Sequence, residues 1–156
     1  MIVTVGDAKG LFSSTDMEYR MLDKLTHVGI AVRNLEESVR LYSKLFHSNV
    51  SGTESVPDQH VKLAFFHVGG ASIELTEATS PDSPIAKFIE KKGEGVHHLS
   101  FETDDIKSEI ARLKAEGFQM IDEEPRRGAG GHLIAFLHPK STNGVLVEIS
   151  QIDLHE

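Results

Sequence analysis

From Lys24 onward, apolar and polar positions follow a pattern that occurs twice. Thr26-His27-Val28-Gly29-Ile30-Ala31-Val32 alternates as a half-buried strand does, successive side chains turning to opposite faces. Asn34 is placed to cap a helix, and Leu35, Val39, Leu41, Tyr42, Leu45 and Phe46 predict its apolar face. The same unit returns 71 residues later. His98-Leu99-Ser100-Phe101-Glu102-Thr103 is the strand, Asp104 or Asp105 the cap, Ile106, Ile110 and Leu113 the helix face, and Gly117 its predicted end.

The second half of each unit also matches. Ala64-Phe65-Phe66-His67 corresponds to Ala135-Phe136-Leu137-His138, and the last strands are Ala71-Ser72-Ile73-Glu74-Leu75 and Val145-Leu146-Val147-Glu148-Ile149. The turn Pro139–Gly144 is three residues longer than its counterpart, so Glu74 matches Glu148 at an offset of 74. Between the units, Thr79–Pro84 predicts a turn leading into a helix from Ile85 to about Lys92. The duplication predicts an α+β fold in which two paired β-α-β-β-β modules form a curved, mostly antiparallel sheet around a metal cavity. The modules are expected over residues 23–78 and 95–151, joined by the helical linker into one domain, 23–151. Residues 1–22, with scattered apolar positions and the polar Ser13-Ser14-Thr15-Asp16, read as a poorly ordered extension or an added short strand. Residues 152–156 read as a tail.

Composition narrows the function classes. The chain has 156 residues, 39% hydrophobic and 26% charged, as in an ordinary globular domain. No apolar run approaches the roughly 18 residues that span a bilayer. A net charge of −8 disfavours nucleic acid, whose phosphates require clustered Lys and Arg. No cysteine is present, which removes disulfides, thiolate metal sites and a cysteine nucleophile. The N-terminus lacks the basic start, apolar middle and cleavage site of a secretory signal, so a cytoplasmic protein is expected.

The duplication gives four residues a reason to meet. His27 and His98 sit near the start of each module's first strand, and Glu74 and Glu148 sit in each last strand. A lone His or Glu in a strand is usually a surface or structural residue, but pairing of two modules about a pseudo-twofold axis turns all four to one cavity. Two imidazoles and two carboxylates suit a divalent ion of intermediate hardness: Co, Zn, Ni, Mn or Fe. His97 competes with His98, since strict alternation lets one of an adjacent pair point inward; equivalence with His27 selects His98. Gly128-Ala129-Gly130-Gly131 lacks the Lys-Ser/Thr of a phosphate loop, and no clear strand precedes it; a mobile turn beside the cavity is expected. Arg126, Arg127 and Lys140 are local cations with either a solvated or a ligand-contacting role.

These residues carry a resemblance. Thr26–Val32, Ser80-Pro81-Asp82-Ser83-Pro84-Ile85-Ala86-Lys87-Phe88, Gly95-Val96-His97-His98-Leu99, Asp122-Glu123-Glu124-Pro125 and Gly130 through His138-Pro139-Lys140-Ser141 to Glu148 resemble the vicinal oxygen chelate superfamily, and within it the methylmalonyl-CoA epimerases. The Ser-Pro-Ile-Ala-Lys-Phe and His-Pro-Lys-Ser segments are the most specific. The resemblance implies a homodimer and an acyl-CoA substrate. It also implies one divalent ion, with Co2+ favoured over Zn2+, Ni2+ or Mn2+, at His27, Glu74, His98 and Glu148. The implied activity interconverts (R)- and (S)-methylmalonyl-CoA. Glu148 is a candidate base as well as a ligand. The second base stays open, because the position where some epimerases carry a glutamate reads Leu63, and neighbouring His60 and Lys62 are not assigned by spacing. Glyoxalase I, with the same four-ligand geometry, is the alternative. A ring-cleaving dioxygenase and a metal-free binding protein of the bleomycin-resistance type fit the four intact positions less well.

Overall fold

The computed structural model describes residues 22–153. The expected extension therefore lies, but for Leu22, outside the described residues, as do residues 154–156 of the tail. The chain runs β1 (Leu25–Ala31), α1 (Leu35–Phe46), β2 (Gly52–Val56), β3 (Val61–Val68), β4 (Ala71–Ala78) and α2 (Pro84–Lys92). It continues through β5 (Gly95–Glu102), α3 (Ile106–Ala115), β6 (Arg126–Arg127), β7 (Leu133–Leu137) and β8 (Val147–Gln151). The order β-α-β-β-β thus occurs twice, with α2 between. All eight strands form one curled sheet in the order β2-β3-β4-β1-β5-β8-β7-β6. First and last strands of each unit pair in parallel, β1 with β4 and β5 with β8; the remaining ladders are antiparallel.

The units meet along β1 and β5, and the register there locates the symmetry. Gly29 faces His98, His27 faces Ser100, and Val28 faces Leu99. A shift of 71 residues converts the first pair into the second and maps the third onto itself. The pseudo-twofold axis therefore passes between Val28 and Leu99.

Helices α1 and α3 cover the convex face. Asn34 caps α1 by accepting from the Glu37 amide at 3.0 Å. Leu35, Val39, Tyr42 and Phe46, spaced four, three and four apart, pack on Ala64, Phe66 and Leu75. Leu41 and Leu45, expected on that face, are 63% and 67% exposed. Six and ten residues beyond Leu35, they lie about 120° and about 80° around the helix from it, outside the buried stripe. In α3 the cap is Asp105, which accepts from the Ser108 amide. Ile106, Ile110 and Leu113 are buried against Ala135, Leu137 and Ile149. Gly117 (φ +93°) ends the helix, its amide donating to Lys114 O and that of Phe118 to Leu113 O. Ser83 caps α2, whose Ile85 and Ile89 pack on Ala31 and Val61. By strand alternation Ala31 and Val61 belong to the concave face, so α2 closes one end of it. Among the described residues no helix is long and apolar enough to cross a membrane.

Candidate functional site

The ladder between β1 and β5 is interrupted twice, in symmetric places. From Leu25 to His27 the partner advances from Phe101 to Ser100, so Thr26 is an extra residue; from Gly29 to Ile30 it jumps from His98 to Val96, so His97 is extra. Thr26 and His97 are themselves 71 residues apart. A bulge re-aims the side chains beside it, and both lie immediately before a candidate ligand. Strict alternation is broken here, which corrects the expectation that His97 turns away: His97 and His98 both line the cavity. His98 is buried with its Nε2 2.9 Å from His27 Nε2. His97 stands edge-on to Phe88 and places its Nδ1 3.0 Å from His98 Nδ1. In the other bulge Thr26 Oγ1 lies 3.3 Å from His27 Nδ1 and donates to Ser100 O. Each bulge residue therefore engages the Nδ1 of the histidine after it and leaves that ring's Nε2 facing the cavity. Gly29 completes the arrangement. A Cβ there would lie 2.2 Å from His98 Cε1, so the His98 ring occupies space that only glycine leaves free.

The two acids come from the strands flanking this pair. Glu74 Oε2 is 3.4 Å from His27 Nε2, and Glu148 Oε1 is 3.5 Å from it. Ser100, the symmetry counterpart of Gly29, donates from Oγ to Glu148 Oε1 at 2.7 Å. His27, Glu74 and His98 each offer one donor atom within 4.8 Å of the other two; Glu148 adjoins His27 but is not part of that trio. The four residues open on a cavity of about 840 Å³ walled partly by Leu63, Phe65, Ile134 and Phe136.

Burial governs the charge state of this site. It pushes His27 down to about 4, with His132 adding to the effect, and His97 to about 4, with Lys92 adding. His98 is lowered well below the usual imidazole value by burial and by its histidine neighbours. Glu74 is raised to about 7 by burial and then by the charges of Glu148 and Glu54. Glu148 also rises to about 7, burial outweighing the Ser100 hydrogen bond and Arg126. At neutral pH the imidazoles are uncharged, with lone pairs available, while the two buried carboxyls stay partly protonated for want of enough positive charge nearby. A divalent cation held there would supply that charge. The Nε2 atoms of His27 and His98 lie 2.9 Å apart, close enough for one ion to be held by both. The donor set fits such an ion.

Other sequence-derived candidates divide. The two-residue β6 does precede Gly128, and the 3₁₀ turn Ala129–Gly131 that follows lines the cavity through Ala129 and Gly130. The Gly130 amide donates to both carboxylate oxygens of Glu54, at 2.9 and 3.0 Å. Arg126 borders the cavity, pairs with Asp122 and lies over the Phe136 ring, whereas Arg127 pairs with Asp153. Lys62 pairs with Glu77, and Lys140 lies outside the cavity. Glu54, on β2 and lining the cavity, was not distinguished by sequence.

Residues 26–136 match the Glyoxalase/Bleomycin resistance protein/Dioxygenase superfamily. The chain belongs to this superfamily. Within it, the mitochondrial methylmalonyl-CoA epimerase of Dictyostelium discoideum is 40% identical over 131 residues, 83% of this chain and 79% of that protein. The ethylmalonyl-CoA/methylmalonyl-CoA epimerase of Cereibacter sphaeroides is 38% identical over 134 residues, 85% of this chain and 100% of that protein. A methylmalonyl-CoA epimerase variant of Streptomyces coelicolor, solved in complex with 2-nitronate-propionyl-CoA, matches with a TM-score of 0.80 at 35% identity, covering 84% of this chain and 95% of that one. These relatives are epimerases, which are isomerases, and the Streptomyces coelicolor structure shares this chain's fold.

Proposed function

We propose that this protein is a metal-dependent methylmalonyl-CoA epimerase that interconverts the (R) and (S) forms by removing and returning the α proton. The observation that carries the proposal is the convergence of His27, Glu74, His98 and Glu148 on one largely apolar cavity. The relatives supply the substrate class.

The chemical difficulty is that the α carbon lies between a thioester and an already charged carboxylate, so the carbanion is strongly disfavoured in water. A divalent ion held by His27, Glu74 and His98, with Glu148 beside it, would supply positive charge where the thioester oxygen becomes an enolate; Co2+ is favoured, with Zn2+, Ni2+ and Mn2+ also suited. Thr26 and His97 hold the two rings in one tautomer and orientation, which keeps the donors preorganised. Leu63, Phe65, Ile134 and Phe136 exclude water and strengthen every charge interaction inside. Glu148, with one oxygen fixed by Ser100, takes and returns a proton on one side of the substrate. A homodimer acting in the cytoplasm is part of the proposal.

Glyoxalase I chemistry would use similar donors, so substrate choice is the test. Purified protein loaded with Co2+ should epimerise (R)-methylmalonyl-CoA and leave the glutathione hemithioacetal of methylglyoxal unchanged. The reverse preference would replace the epimerase reading with glyoxalase.

Metal binding should also depend on pH in a specified direction. Without metal, the carboxyls of Glu74 and Glu148, raised to about 7, hold protons that a cation must displace. Binding therefore tightens as pH rises. The number of protons released per ion should fall from about two near pH 5.5 to about one near pH 7 and toward zero above pH 8. His27, lowered to about 4, and His98, lowered well below the usual imidazole value, add little competition over this range. Calorimetry in buffers of different ionisation enthalpy counts the protons, and Glu74→Gln should remove one. Release that is unchanged in Glu74→Gln would contradict the assignment.

A further inference from the structure

We infer that Glu54 is the second acid–base residue of the cavity, acting on the face of the substrate's α carbon opposite Glu148. The inference rests on the epimerase reading. Inversion at carbon requires that the proton leave one face and another arrive at the opposite face. A single carboxylate fixed as Glu148 is by Ser100 serves one face.

The placement of Glu54 supplies the other. Along β2, Thr53 and Ser55 are exposed while Gly52, Glu54 and Val56 turn inward. Glu54 lies directly across the ladder from Leu63, and residues so paired project to the same face. Its carboxylate thus enters the cavity over the apolar wall formed by Leu63 and Phe65. An edge-strand carboxylate would ordinarily turn to water, and this one instead faces inward.

Its charge also reaches the centre, since it is one of the groups that raises Glu74. The Gly130 amide holds both oxygens, which fixes their direction. A carboxylate offers about four lone-pair positions, so one N–H leaves capacity for a proton. Glu54 comes from the first module and Glu148 from the second, on opposite sides of the axis between Val28 and Leu99.

Several neighbouring ionisable groups are worse placed. Lys62 is paired with Glu77, Glu102 is paired with Lys24, and His60 sits in an exposed left-handed turn. His132, just before β7, belongs to the same module as Glu148.

In the forward step the C–H bond on one face breaks, the proton moves to a Glu54 oxygen, and the electron pair enters the thioester carbonyl as an enolate. The enolate then collapses as Glu148, carrying a proton drawn from solvent, delivers that proton to the opposite face. The reverse reaction exchanges the two roles, and solvent restores both protonation states. No oxidant or reductant takes part.

The test follows each epimer of methylmalonyl-CoA separately in heavy water with Co2+-loaded wild type, Glu54→Gln and Glu54→Asp. Wild type should invert both epimers with deuterium entering the α carbon. In Glu54→Gln, whose amide oxygen can still accept from Gly130, inversion should fall by about 10²–10⁴-fold, the usual worth of a positioned acid–base group. One epimer should nevertheless continue to exchange its α proton without inverting, because Glu148 still serves that face. Glu54→Asp, with its carboxylate withdrawn by one methylene, should retain slow inversion. A purely structural latch to Gly130 would slow exchange and inversion together for both epimers, and that result overturns the inference. So does inversion at the wild-type rate in either variant. Wild-type protein that inverts neither epimer overturns the epimerase reading and this inference with it.

Discussion

Glu148→Gln is expected to lower kcat for epimerisation by about 10²–10⁴-fold, the loss that follows removal of a positioned acid–base group. The substitution keeps the shape of the side chain and an oxygen that can accept from Ser100, whose hydroxyl holds Oε1 at 2.7 Å. The fold should therefore persist. The carboxyl is buried deeply enough to be raised to about 7, so its ionised form costs stability as pH rises through that value. Removing it should leave the metal-free protein at pH 8 as stable as wild type or more so, readable as an unchanged or higher Tm. The discriminating measurement is kcat at saturating Co2+. Because Glu148 stands beside the trio His27, Glu74 and His98, excess metal should restore occupancy without restoring the rate. Full recovery of rate at high metal would show that Glu148 acts only as a ligand.

Gly29→Ala should remove metal binding while adding a single methyl group. The new Cβ would fall 2.2 Å from His98 Cε1 and 2.4 Å from its Nδ1, distances at which one of the two groups must move. The β1–β5 ladder pins the backbone of Gly29 against His98, so the ring is the part that yields. Its displacement breaks the 2.9 Å approach of the two Nε2 atoms and the contact with His97 Nδ1. Overpacking of this kind costs about 1–3 kcal/mol of stability, and metal affinity should fall by about 10-fold to 100-fold or more, as when the partners that orient a ligand are lost. Thermal unfolding with and without Co2+ reads both effects: the metal-dependent rise in Tm seen in wild type should vanish. A variant that kept the wild-type rise would mean that His98 does not bind the ion in this orientation.

The duplication was legible because each module repeats the same alternation and cap at one spacing, which is enough to anticipate paired β-α-β-β-β units and to align His27 with His98. The pseudo-twofold register of β1 and β5 then follows from that equivalence. The bulges at Thr26 and His97 were not legible, because an extra residue in a ladder is defined by the partner strand and not by its own sequence. The one visible hint was a pair of polar residues, Thr26-His27 and His97-His98, at the same place in both copies. Leu41 and Leu45 depart from the expectation for a different reason: they are apolar, yet their spacing from Leu35 puts them outside the buried stripe. Glu54 is not legible in the sequence because β2 is a five-residue edge strand whose inward face is set by pairing with Leu63. Its bond to Gly130, 76 residues distant, depends on the curl of the whole sheet.

The central claim is that a cation held among His27, Glu74 and His98, with Glu148 beside it, makes the α proton of methylmalonyl-CoA exchangeable. Incubation of (R)-methylmalonyl-CoA in heavy water tests it most directly, comparing metal-loaded protein, protein stripped by a chelator, and stripped protein resupplied with Co2+. Deuterium should enter the α carbon with the loaded protein, stop with the stripped protein, and return on resupply. Exchange that continued undiminished in the stripped protein would contradict the account.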